Sequence, residues 1–202
     1  MAYALYVTHP QVVIDPDVPM PLWGLSSLGR ERAERFANNE LIRGARRIVT
    51  SPETKALELA TILSGPSGTP VEIGENFAEN DRRSTGFVSR ERFEELFAAL
   101  YASPTTSPDG WECANDTQER IVAAYEAALV GHDPAIPIIF TGHGTVGTLL
   151  KCHLGNRVIA RSEDQRVIAD PGGGNVFVVR LRDRKLLSDW MPMEALPEDF
   201  PV

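Results

Sequence analysis

Two of the four histidines stand where chemistry is easy to arrange. His9 follows the apolar run Ala2–Val7, and His143 lies in Gly142-His143-Gly144, directly after the run Ile136–Thr141. Both runs are rich in β-branched or aromatic residues and read as buried strands. Ligands of open α/β sheets bind just beyond the carboxyl ends of strands, so two imidazoles at such ends are expected to meet in one crevice. A neutral imidazole is a good nucleophile near pH 7. The glycines beside His143 let backbone approach a ligand, and the helix expected to follow would offer unpaired N–H groups to an anion.

Lys55 is a third element. Ser51-Pro52 is a helix start signal, continued by Ala56, Leu59, Ala60 and Leu63. That puts Lys55 in the first turn, where the helix dipole disfavours a cation by a few tenths of a kcal/mol. Either it is solvated beside Glu53, or it and the helix end both face a bound phosphate.

These groups need a scaffold. Further strands are expected at Ile48–Thr50, Val71–Ile73 and Val176–Leu181, all reading as buried on both faces. Ser26 can cap a helix running to about Asn38. Phe93, Leu96, Phe97 and Leu100 fall at i, i+3, i+4 and i+7, and Ile121, Val122, Tyr125, Ala128 and Leu129 mark another helix. A last one runs from about Thr145 to Leu154, with Gly155 placed to close it in a left-handed conformation. Strands alternating with helices predict an α/β protein: a three-layer α/β/α sandwich with a mostly parallel sheet and helices on both faces.

The 202 residues suit one domain spanning 1–202. A helix-and-loop lid is expected as an insertion at about 80–114, with Phe87, Phe93 and Trp111 either contacting substrate or filling core. The tail from Met191 reads as an extended surface strap. Gly172-Gly173-Gly174 reads as a turn, since it lacks the Gly-Lys-Ser ending of a phosphate-binding loop.

Composition narrows the function. A formal charge of −8 repels polyanions, so no nucleic-acid partner is expected, while a small anionic ligand would need a local positive cluster. Cys113 and Cys152 make neither a disulfide framework nor a zinc motif, and the histidines lack the helical spacing of zinc sites, so no metal and no cofactor are expected. The first residues lack a basic n-region and their apolar run stops at Thr8; no membrane span is expected and the cytoplasm is the default location. Oligomeric state is open. A serine hydrolase is disfavoured because there is no G-x-S-x-G elbow.

Taken in order, His9, Leu25-Ser26-x-x-Gly29, Ser51-Pro52-x-x-Lys55-Ala56, Phe77-x-Glu79 and Gly142-His143-Gly144 resemble the histidine phosphatase superfamily, which includes the phosphoglycerate mutases. The resemblance implies a phosphoglycerate mutase-like fold, with His9 attacking phosphorus to become phosphohistidine. It implies that His143 binds the transferred oxygens and that an acid, best matched by Glu79 although Glu75 and Asp81 are neighbours, protonates the leaving group. Lys55, Thr8, Gly144 and Arg82 are the expected phosphate contacts. The implied substrate is a small anionic phosphorylated molecule or the phosphorylated side chain of a protein.

The chain departs from the family at two cations. Where the family has Arg-His-Gly it has Thr8-His9-Pro10, and Lys55 stands at the family's second arginine. Thr8 can give one neutral hydrogen bond, and Lys55 is a point charge without a bidentate fork. Losing one donor at the level of an oxyanion hole costs about 10²–10³ in rate, unless Arg82, Arg83 or Arg43 fills in. The expectation is therefore a phosphatase of reduced or altered activity, with a non-catalytic phosphate-binding module as the alternative.

Overall fold

The computed structural model describes residues 2–201. In chain order it contains β1 (Tyr3–Thr8), α1 (Ser27–Phe36), α2 (Glu40–Gly44), β2 (Arg47–Thr50), α3 (Thr54–Ser64), β3 (Val71–Ile73), α4 (Arg90–Ala102), α5 (Ala114–Leu129), β4 (Ile138–Gly142), α6 (Gly144–Leu154), α7 (Gln165–Ile168), β5 (Asn175–Arg180), β6 (Lys185–Leu186) and β7 (Met191–Pro192). The strands make one mixed sheet ordered β3-β2-β4-β1-β5-β6, with β7 also paired to β5. The first four run parallel, and β5 pairs antiparallel with β1.

Strand alternation explains the layers. Tyr3, Leu5 and Val7 of β1 point to one face, where Ala33 and Phe36 of α1 and Leu59 and Leu63 of α3 bury them. Ala4 and Tyr6 point to the other, against Ile121 and Tyr125 of α5 and Val146 and Leu150 of α6. The α/β sandwich with helices on both faces is the architecture expected from the sequence. A third apolar cluster joins Leu96, Phe97, Leu100 and Tyr101 of α4 to Trp111 and to Leu149 of α6. Trp111 is therefore core, whereas Phe87 is exposed beside Trp23.

The remaining local expectations meet tertiary context. Ser26 caps α1 by accepting the Gly29 amide at 3.1 Å. The helix after Ser51-Pro52 starts at Thr54 with Glu53 as N-cap, because the Ser51 hydroxyl is engaged elsewhere. Val71, Glu72 and Ile73 are all exposed, so β3 is an edge strand and not a doubly buried one. Gly155 stays right-handed (φ −89°), and Asn156 makes the left-handed step (φ +50°). The amides of Asn156 and Arg157 return to the carbonyls of His153 and Cys152, a closing motif in which asparagine serves in place of glycine. The tail is no surface strap: Met191 and Pro192 pair with β5, and Met193 and Leu196 are buried. No helix among the described residues is long and apolar enough to cross a membrane.

Candidate active site

Parallel pairing of β1 with β4 sets Thr8 opposite Gly142, and the His9 amide donates to the Gly142 carbonyl at 3.0 Å. The next residue on each strand is a histidine, and the two rings lie 5.3 Å apart, centroid to centroid, at 69° to each other. The two rings thus meet at neighbouring strand ends, with His9 lining a cleft and His143 fully buried beside it. The His9 carbonyl accepts the amide of Gly174, and a Cβ on Gly173 would fall 2.4 Å from that carbonyl. Arg32 anchors this glycine turn: it donates to the Gly173 carbonyl and to Gln11, and pairs with Glu194 and Asp170.

The state of His9 follows from one hydrogen bond. Its Nδ1 lies 2.9 Å from the carbonyl oxygen of Pro10, which can only accept, so Nδ1 carries the proton and Nε2 keeps its lone pair. Burial lowers the His9 pKa to about 3, helped by neighbouring His143 and opposed by the Pro10 carbonyl. The ring is neutral near pH 7, as a nucleophile requires.

His143 is fully buried, and burial depresses its pKa against the pull of Glu53 and Glu79. Its Nε2 lies 2.7 Å from Ser51 Oγ and 3.5 Å from Glu53 Oε1. Ser51 Oγ also accepts the Glu53 amide at 3.3 Å; with its second lone pair and its hydrogen it can either accept from or donate to His143 Nε2. His143 Nδ1 has no protein partner among the described residues.

The α6 N-terminus is only partly open. Glu79 accepts the Thr145 and Val146 amides at 3.2 and 3.1 Å, so its own carboxylate occupies most of the anion site expected there. The Gly144 amide is left without a partner among the described residues. Burial favours protonation of Glu79, but Arg82 at 3.5 Å, His143 and the Asn80 amide outweigh it and hold the carboxyl below its usual value. Neither Glu75 nor Asp81 is held in this way: Glu75 lies in a 3₁₀ turn, and Asp81 pairs with the exposed Arg83.

The cations divide by how fully they are engaged. Lys55 is buried, donating to the Met20 carbonyl at 2.9 Å and to Glu53. It is therefore not solvated, although Glu53 is its partner. Glu53 also accepts the Glu79 amide at 2.8 Å; burial acts against its charge, yet His143 and Lys55 bring its pKa to about 2. Arg82 differs. Its guanidinium makes no hydrogen bond among the described residues and rests 5.4 and 5.5 Å from the rings of Phe93 and Trp111. Arg166 lies 4.0 Å from the Phe97 ring and is partly tied to Asp164 and Glu94. Arg83 points to solvent, and Arg43 lies with Arg46 in a separate cavity by Pro66–Pro70.

A cleft of about 340 Å³ is lined by His9, Glu79, Arg82, Gly144, Gln165 and Arg166 among others; His143, fully buried beside His9, does not line it. A second, of about 730 Å³, reaches Lys55 and Trp111 and shares Glu79 and Arg82 with the first. Thr8 lines neither. It is fully buried, its hydroxyl donating to Gln165 Oε1 at 2.7 Å and accepting the Asn175 amide at 2.9 Å, so it has no hydrogen to give a ligand. Among the described residues no three His, Cys, Asp or Glu side chains converge as metal ligands would.

Sequence reasoning missed Glu53, the Ser51 contact, Gln165 and Arg166. Glu53 had a readable signal, a carboxylate two residues before a helix-start lysine. Gln165 and Arg166 had none, because a four-residue helix carries too little periodicity.

The fold and this pairing of histidines define a phosphoryl-transfer scaffold, and comparison with known proteins agrees. The chain matches the sequence model of the histidine phosphatase superfamily (branch 1) over residues 12–186, and it belongs to that superfamily. The match starts just past Thr8-His9-Pro10. A mycobacterial glucosyl-3-phosphoglycerate phosphatase solved with inorganic phosphate superposes with a TM-score of 0.77 at 18% identity, over 97% of this chain and 100% of that one. YhfR of Bacillus stearothermophilus gives 0.74 at 17% identity over 92% and 94%. The phosphoserine phosphatase of Entamoeba histolytica, in complex with 3-phosphoglyceric acid, gives 0.74 at 13% over 94% and 96%. No curated protein sequence matches the chain.

Proposed function

We propose that the protein is a phosphatase working through a phosphohistidine on His9, acting on a small phosphomonoester or a phosphorylated protein side chain. The observation that carries this reading is the His9 ring, held neutral with Nδ1 on the Pro10 carbonyl and Nε2 unprotonated, beside the unpartnered Nδ1 of His143.

In the first step Nε2 of His9 attacks phosphorus, an N–P bond forms, and the P–O bond to the leaving group breaks. Glu79 gives its proton to the departing oxygen. Water then attacks the phosphohistidine, Glu79 takes its proton, the N–P bond breaks, and inorganic phosphate leaves with His9 restored. Charge on the transferring oxygens is met by Arg82, His143 Nδ1–H and the Gly144 amide. Glu79 rests ionised, so it must be protonated on substrate binding, which a phosphate dianion nearby favours. Phe93 and the segment 80–114 serve as the lid over the cleft. With Thr8 turned away and Lys55 committed to Glu53, the phosphate is served chiefly by the guanidinium of Arg82, which stands 3.5 Å from Glu79, and turnover is lower than a site with two free arginines would give.

The test is labelling. Incubation with a radiolabelled phosphomonoester and acid-free quenching should trap an acid-labile, base-stable phosphate on the protein, absent from His9→Ala. Equal labelling of His9→Ala ends the mechanism. Tight phosphate binding with neither label nor turnover instead marks a phosphate-binding module.

A further inference from the structure

Gln165 is an unassigned side chain whose orientation the surrounding hydrogen bonds determine. Asn175 Oδ1 accepts the Asp170 amide at 3.0 Å, so the other end of Asn175 is the NH₂, which donates to the Asp170 carbonyl and, at 2.9 Å, to Gln165. The Gln165 atom at that contact must therefore be the oxygen. The same Oε1 accepts the Thr8 hydroxyl. Two donors pin the carbonyl end, and the NH₂ is turned the opposite way.

That NH₂ lies against Gly144. A Cβ on Gly144 would fall 2.3 Å from Gln165 Nε2, so only glycine admits the amide here. Gln165 is 7% exposed, and its Nε2 has no hydrogen-bond partner among the described residues. It opens on the cleft lined by His9, Arg82 and Gly144, next to the Gly144 amide, which is likewise unpaired.

Resting on the phosphatase reading above, we infer that Gln165 Nε2 binds the phosphoryl group, a neutral donor doing the work for which Thr8 is too short and too buried. Thr8 is then a positioning residue. Its hydroxyl fixes the amide, and the residue before the nucleophile acts on the phosphate through Gln165. The phosphoryl oxygens are held by one guanidinium and a set of neutral N–H groups.

The deciding variant is Gln165→Glu. It keeps the oxygen that accepts from Thr8 and Asn175 but replaces the donor with an acceptor facing the anion. We expect orthovanadate to bind at least tenfold more weakly and kcat/KM on p-nitrophenyl phosphate to fall by about 10²–10³, with little change in melting temperature. The deficit should shrink as pH falls and the introduced carboxyl gains a proton it can donate. Should that variant fail to fold, Gln165→Ala is read for the same loss of vanadate affinity. Parent-like affinity and kcat in a folded variant overturn the inference alone. A parent that neither binds vanadate nor labels on His9 overturns the phosphatase reading and this inference with it.

Discussion

Ser51 Oγ sits 2.7 Å from Nε2 of His143, across 92 residues of sequence. The proposed role of His143 as an Nδ1–H donor rests on a preference of this hydroxyl for donating to Nε2, which it can do while accepting the Glu53 amide. Ser51→Ala removes that preference without touching the cleft. The expected result is a fall in kcat of about tenfold, the loss of one hydrogen bond to a reacting oxygen, with KM nearly unchanged and a stability loss of about 1–3 kcal/mol from the buried groups left without the hydroxyl. NMR of the His143 ring nitrogens should show the Nδ1–H tautomer depleted. An unchanged tautomer and kcat would remove Ser51 from the mechanism.

Lys55 and Glu53 form a buried ion pair in the wall of the second cleft. Removing one partner of such a pair costs about 3–5 kcal/mol, because a charge is left buried and alone. Lys55→Met is therefore expected to lower the midpoint of urea unfolding strongly, and Lys55→Met with Glu53→Gln to recover much of the loss. A Lys55→Met protein as stable as the parent would mean that the ammonium is held for a ligand and not for Glu53.

Acid should destabilise the protein through four groups around the cleft. His9 and His143 titrate lower in the folded chain than their ordinary 6.5, so the unfolded chain binds more protons as pH falls through that value. Glu53 and Glu79 are held below their ordinary 4.5, Glu53 at about 2, so their contribution is present above 4.5 and lost on the way down. Stability should fall from about pH 7 toward pH 2, first through the histidines and then through the carboxylates. His9→Asn should flatten the upper part of a urea-midpoint curve against pH and leave the lower part in place. A curve unchanged by His9→Asn would contradict the neutral, partly buried ring.

The same groups set the pH dependence of turnover. A general acid on Glu79 must be protonated, whereas His9 must stay neutral, which holds down to about pH 3. The ratio of kcat/KM for an alkyl phosphate, whose leaving group needs a proton, to that for p-nitrophenyl phosphate, whose leaving group does not, is expected to rise as pH falls from 7 toward 4.5. Glu79→Gln should abolish the rise. A flat ratio in the parent would point to another acid.

Much of the scaffold was legible because burial leaves a regular imprint. β1 and β4 are unbroken apolar runs, and α5 repeats its apolar residues at helical spacing. The histidine pair was legible for the same reason, as it only required two strand ends to be neighbours. What escaped was decided by partners distant in sequence. Nothing near Thr8 says that its hydroxyl bonds Gln165, 157 residues away, and nothing in Ser51-Pro52 says that the serine serves His143 instead of capping α3. Lys55 was ambiguous for a physical reason: a cation in a first helical turn signals a partner but not which one.

Thr8 supplies the last prediction. Thr8→Arg, which would write Arg-His at positions 8 and 9, looks from the sequence like a gain of function, but the Thr8 side chain is fully enclosed and Gln165 and Asn175 stand against its hydroxyl. A guanidinium there must displace Gln165, and overpacking of this kind costs about 1–3 kcal/mol. Thr8→Arg alone should lower the melting temperature and leave kcat/KM at or below the parent value. Combined with Gln165→Ala, which clears the space, it should raise kcat/KM at least tenfold above Gln165→Ala alone, because the fork then reaches the phosphate seat that the amide has vacated. A four-protein cycle of parent, the two single variants and the double measures this coupling directly. Full activation by Thr8→Arg with Gln165 in place would mean that the two side chains do not compete for the same ground.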